Sequence, residues 1–180
     1  MLGNTLMSLK KTDEAAREWQ VAASLDGARE ALALVALSVA DAGGALEWVA
    51  GLPSSNARVI KARALLALGQ PTDALNTLEG VTGVDATYLR GSALIVLARF
   101  ADAQAMFDSL QRDAPKSSLG PYGLARLAAV QNRAADALLY LKSAKATAHP
   151  TWDAEAVAAD PAFAFLSASA DYKELLKPLP

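Results

Sequence analysis

Residues 90–115 read RGSALIVLARFADAQAMFDSLQRDAP, and this stretch decides the fold. Gly91 and Ala103 stand twelve residues apart, Phe107 follows Ala103 by four, and Leu110 follows it by seven. Offsets of four and seven keep Ala103, Phe107 and Leu110 on one helical face. A small residue on each of two helices lets their axes approach closely. The bulky residue one turn further on fills the groove between successive pairs. The stretch therefore reads as two antiparallel helices.

Working outward, the same spacing recurs along the chain. Ala15, Ala45, Ala74, Ala103 and Ala137 are each preceded, twelve residues earlier, by Gly3, Ala33, Ala62, Gly91 and Ala125. Four residues after each stands Trp19, Val49, Leu78, Phe107 or Leu141, and seven after stands Ala22, Leu52, Val81, Leu110 or Ala144. With 41 Ala and 11 Gly in 180 residues, the small slots alone match by chance in many registers, so the bulky slots and the turns carry the reading. Breaks with acidic or hydroxylated helix starts separate the members of a pair at Thr12–Glu14, Asp41–Gly44, Gly69–Asp73, Asp102 and Asn132–Asp136. Gly69 suits the position after a helix end, and Pro71 or Thr72 the first turn of the next helix. Longer breaks at 51–56, 80–85 and 113–121 separate the pairs. Helices are predicted near 2–10, 13–24, 28–41, 45–51, 56–68, 72–79, 85–99, 101–112, 120–131 and 134–147.

Composition supports an all-α protein. A chain that is 53% hydrophobic and only 6% aromatic, rich in small residues, suits close helix packing better than a sheet. A net charge of −2 with 17 dispersed basic residues offers no footprint for nucleic acid. The longest apolar run, Ala31–Ala40, spans about 15 Å as a helix against the ~30 Å of a bilayer core, so membrane insertion is not expected. The opening MLGNTLMSLKK does not read as a signal peptide, because its lysines follow the apolar residues. Zero Cys leaves the redox compartment open. A cytoplasmic location is favoured, with a periplasmic one if the chain is a piece of a longer precursor.

Catalytic chemistry finds few candidates. The single His149 sits beside Pro150 at a turn, with no acidic partner at ligand spacing, and reads as a turn residue. His149 lacks the acidic partner that a serine triad needs, one His and no Cys supply no zinc or iron–sulfur set, and no acidic run has calcium-loop spacing. No enzyme activity, metal or cofactor is expected. Trp19 reads as core, Trp48 as outward-facing and Trp152 as the anchor of the C-terminal segment.

The pattern resembles the tetratricopeptide repeat, in Leu2-Gly3, Leu6, Ala15, Trp19 and Ala22, then in Arg90-Gly91, Leu94, Ala103, Phe107 and Pro115, and more loosely in Leu124-Ala125, Ala137, Leu141 and Ala144. The second and third repeats are degenerate and several residues short, which implies clipped second helices or tight turns there. The resemblance implies an all-α, right-handed α-solenoid of about five antiparallel helix pairs (1–25, 26–54, 55–83, 84–117 and 118–149), closed by short capping helices in 150–180. Asp160-Pro161 and Asp171 mark helix starts in that cap. Trp152, Phe163, Leu166, Tyr172 and Leu175 are expected to cover the last pair.

The resemblance also implies a concave groove for a protein or peptide, lined by the first helix of each pair. Its residues fall on Asn4, Met7, Glu30, Leu34, Val59, Arg63, Leu66, Tyr88, Ser92, Ile95, Tyr122 and Arg126. Arg63 and Arg126 are expected to pair with a carboxylate of the partner. The Lys, Asn and Arg clamp of the chaperone-binding members is absent apart from Asn4. Because the register places Met1 inside a first helix, Leu2, Leu6, Leu9 and Trp19 form an uncovered edge for self-association into a homo-oligomer. The expected function is a protein-interaction scaffold. The alternative is a structural or self-associating solenoid segment of a larger envelope or secretion assembly.

Overall fold

The structure, a computed structural model, describes residues 25–148 and 152–177. Leu2, Asn4, Leu6, Met7, Leu9, Trp19 and His149 lie outside the described residues. Among the described residues the chain is helical and has no strand. It divides into two compact units, Met1–Val81 and Thr82–Pro180.

In the first unit, α1 (Asp26–Ser38) pairs with α2 (Ala42–Val49), and α3 (Ser55–Ala67) pairs with α4 (Pro71–Thr77). The small residues of the spacing rule, Ala33 with Ala45 and Ala62 with Ala74, have 0% of their surface exposed. Val49, Leu52, Leu78 and Val81 are buried at the bulky slots. Trp48 is half-buried against this core, where the sequence pointed it outward.

The second helices here have only 8 and 7 residues. Their ends are held by arginines of the first helices. Arg29 Nη2 donates to the Ala50 carbonyl at 2.7 Å, and Arg58 Nε donates to that of Thr77 at 2.8 Å, with its Nη2 on Glu79. Both arginines stand four residues before the small residue of their helix. They satisfy carbonyls that a longer helix would bond internally.

The second unit holds α5 (Val84–Val96) with α6 (Phe100–Asp113) and α7 (Leu119–Val130) with α8 (Ala134–Ala148). The segment α9 (Ala154–Ala159), a 3-10 turn (Pro161–Leu166) and α10 (Ala170–Leu175) follow. Phe107, fully buried, lies against Gly91 of α5 and Gly123 of α7. Phe163, Leu166, Tyr172 and Leu175 join Ala125, Ala128 and Leu141 in one buried cluster, with Trp152 packed on its margin. The cap starts at Asp153, Asp160 and Ser169, whose side chains accept from Ala156, Ala162 and Tyr172 backbone N–H groups.

One turn joins the members of every described pair. Ala40, Gly69, Ala98 and Asn132, each seven residues after the small residue of the first helix, have φ of 61°, 72°, 56° and 57°. The N–H groups of Asp41, Gln70, Arg99 and Arg133 reach back to the carbonyls of Ala36, Leu65, Leu94 and Ala128 at 2.8–2.9 Å. This is the Schellman ending of a helix, which reverses the chain within two residues. Ala40 and Ala98 carry a side chain in a conformation that costs non-glycine residues about 1–2 kcal/mol. Ala98→Gly and Ala40→Gly are therefore expected to stabilise the protein, by about 0.5–1 kcal/mol each after the entropy of glycine is deducted. Urea unfolding would read the gain, and a loss of stability in both variants would contradict the turn geometry.

Candidate functional site

The first helices of the second unit carry matched rows of residues. Tyr88, Ser92 and Val96 on α5 stand three before, one after and five after Gly91, and Tyr122, Arg126 and Val130 stand likewise about Ala125 on α7. A spacing of four keeps each row on one stripe of its helix. Val96 is 60% exposed and Val130 45%. Ile95, named from the sequence, is buried, and Val96 stands in its place at the surface. One residue turns a helix by about 100°, which carries the side chain from the surface stripe into the packing between pairs.

Tyr88 and Tyr122 belong to a continuous run of rings. Phe107 to Tyr88 is 6.0 Å between centroids, Tyr88 to Tyr122 is 6.4 Å, and Tyr122 to Phe163 is 5.8 Å in an edge-on arrangement. Such contacts fix the tyrosines as rigid surface. Ser92 is buried, with Arg126 Nη1 at 3.5 Å from its hydroxyl.

Arg126 meets a carboxylate of the chain itself. Arg126 Nε lies 3.1 Å from Asp160 Oδ2, with its N–H off the line to the acceptor, so the contact is an ion pair more than a directed hydrogen bond. Tyr122 Oη donates to the same oxygen at 2.8 Å. The other oxygen, Oδ1, accepts from the Ala162 N–H at 3.0 Å and starts the 3-10 turn. Burial, then the charge of Asp160 and its hydrogen bond, push the Tyr122 phenol far above its ordinary 10.0. For Arg126, burial lowers the guanidinium, but Tyr88 and Asp160 outweigh it and leave it above its usual range. Tyr172 is also raised, by burial first and by Asp160 second. The helix-start signal at Asp160 was legible in the sequence, but its second partner was not.

In the first unit the named residues divide by role. Glu30 accepts from the Ser54 hydroxyl and from Asn56 Nδ2 at 2.6 Å, and so steadies the N-cap of α3. Leu34 and Arg63 are exposed, while Val59 and Leu66 are half-buried. Among the described residues no three His, Cys, Asp or Glu side chains gather as a metal site, and no helix is long and apolar enough to cross a membrane.

No family profile matches this chain, and no curated protein matches it at a significant level. Solved structures do. The chain is similar to TTC0263, a thermophilic tetratricopeptide protein of Thermus thermophilus, at 21% identity over 83% of this chain and 90% of that one, with a TM-score of 0.72. It is similar to PilW, a type IV pilus biogenesis factor, at 15% identity over 98% and 96% of the two chains, also with a TM-score of 0.72. YrrB, a tetratricopeptide protein with an unusual peptide-binding site, matches at 18% identity over 81% and 82%, with a TM-score of 0.55.

Proposed function

We propose that this chain, which has the tetratricopeptide-repeat fold, acts as a protein-interaction scaffold that receives a partner segment on its first helices. The observation that carries the reading is the pair of matched rows on α5 and α7. Each runs from a tyrosine fixed by ring contacts to an exposed valine two helical turns further on, and rigid aromatic and apolar surface along one stripe is what an interface core requires. Arg126 is already paired with Asp160, so the partner contact here is apolar and does not depend on a partner carboxylate. Peptide binding by YrrB supports this choice by fold analogy.

The experiment places a photo-crosslinking residue in turn at Val96, Val130 and Leu139. Leu139, on the second helix α8, is 62% exposed and serves as an apolar control. Cross-linking to one partner from Val96 and Val130, at least tenfold above Leu139, is the expected result. Equal yields from all three would sink the assignment.

A second reading, a platform within an envelope assembly, draws support from the near-complete overlap with the pilus factor PilW. The same experiment separates the two. Cross-linked product that sediments with the envelope favours the second, and soluble product favours the first.

A further inference from the structure

In the first unit the short second helix leaves a hollow. The helix α2 ends at Val49, four residues after Ala45, whereas α6 runs ten residues beyond Ala103 and α8 eleven beyond Ala137. The residues that follow it, Ala50–Leu52, border an open groove of about 590 Å³, a size at which pockets take ligands. Leu46, Val49 and Leu52 give the groove apolar surface, and Arg58 and Lys61 of α3 bring two cations to it. Lys61 stands one residue before the small residue of its helix, where α1 and α7 carry Leu32 and Leu124, each 3% exposed. It is itself exposed and makes no ion pair or hydrogen bond among the described residues. Arg58 Nε and Nη2 are committed to the Thr77 and Glu79 carbonyls, so its charge remains while these donors are spent. No acidic side chain among the described residues lines the groove.

We propose that this groove docks an acidic peptide segment, which lays apolar side chains on Leu46, Val49 and Leu52 and sets a carboxylate against the Lys61 ammonium. Charge complementarity points to this occupant. Cations three residues apart share one helical face, where they repel a basic partner and favour an acid placed beside the apolar surface. The groove is separate from the rows on α5 and α7, and either reading can fail alone.

The test titrates 15N-labelled protein with capped tetrapeptides and follows the backbone amide signals of Leu46 and Gly51. Acetyl-Glu-Leu-Leu-Glu-amide is expected to shift both signals and to saturate. Its Gln counterpart should bind about fivefold more weakly, the upper end for an exposed ion pair, and raised ionic strength should shrink the difference. Acetyl-Glu-Gly-Gly-Glu-amide, which has the acids without the apolar side chains, should leave the signals in place. Lys61→Gln breaks no contact in the fold and should make the Glu-Leu and Gln-Leu peptides equal. The absence of a saturable shift, equal binding of those two peptides to the unaltered protein, or a preference that survives Lys61→Gln would overturn the proposal. Octanoate offers a carboxylate on an apolar tail from another source, and tighter binding of octanoate than of the Glu-Leu peptide would make the groove a fatty-acid site instead. Signals that shift with protein concentration in the absence of peptide would assign it to a second copy of the chain.

Discussion

Gly123→Ala is expected to destabilise the second unit by about 2–3 kcal/mol, although helix propensity alone would favour alanine by about 1 kcal/mol. A Cβ at this position would lie 2.2 Å from Cδ1 and 2.3 Å from Cε1 of Phe107. The ring has nowhere to go. A Cβ at Gly91 would likewise meet Cε1 and Cζ at 2.5 Å, and Phe107 is fully buried. Two glycines on different helices thus make the slot for one ring, and close-packed interiors do not absorb such an overlap cheaply. Urea unfolding measures the loss. Phe107→Leu, itself costly, should recover part of it when combined with Gly123→Ala, so that the double variant loses less than the sum of the singles. Strict additivity would mean that the ring is not what the new methyl group meets.

Removing the carboxylate at Asp160 has the second large effect. Asp160→Ala leaves the Tyr122 hydroxyl, the Arg126 guanidinium and the Ala162 N–H without their acceptor, in a site where the Asp160 side chain is 11% exposed. A loss of about 3 kcal/mol is expected, because an uncompensated half-buried cation is added to two lost hydrogen bonds. Asp160→Asn keeps one acceptor oxygen, enough for the Ala162 N–H or the Tyr122 hydroxyl but not for both, and removes the charge, so it should lose less than Asp160→Ala. The same cluster sets a pH dependence. The Tyr122 phenol is raised in the folded state, so the unfolded chain releases its proton first. Stability from this group is complete below pH 10 and declines as pH rises above it. Tyr172, shifted in the same direction, adds to the decline. Tyr122→Phe is expected to flatten the alkaline limb of an unfolding-free-energy profile taken between pH 8 and 11. An unchanged limb would show that Tyr122 ionises as readily folded as unfolded.

These effects separate what could be read in the residues from what could not. Gly91, Ala103 and Phe107 were visible as a spacing, and so was the shortness of the second and third repeats, which left clipped second helices or tight turns open and which α2 and α4 resolve as short helices. Gly123, two residues before the small slot at Ala125, has no such signature. Its role appears only when α7 lies against the Phe107 ring. Arg29 and Arg58 are at matching positions in the sequence, yet nothing in their spacing names a carbonyl 21 residues away as the acceptor.

The surface divides in the same manner. Tyr88, Ser92, Tyr122 and Arg126 were legible as positions on first helices, and the second unit does bring these four together. Ile95 against Val96 was undecidable, since a difference of one residue depends on how each helix is rotated against its neighbours. The contact of Arg126 with Asp160 was not legible for a related reason: the sequence supplies a cation and leaves the source of its anion open, whether another molecule or the C-terminal segment of the same chain. Periodicity is local, arising from 3.6 residues per turn and from turn chemistry, and so the sequence by itself determined the helices, their pairing and the buried small residues. Contacts between elements distant in the chain depend on the packing of whole helices, and only the tertiary structure decided that Phe107 needs Gly123 and that Asp160 answers Arg126.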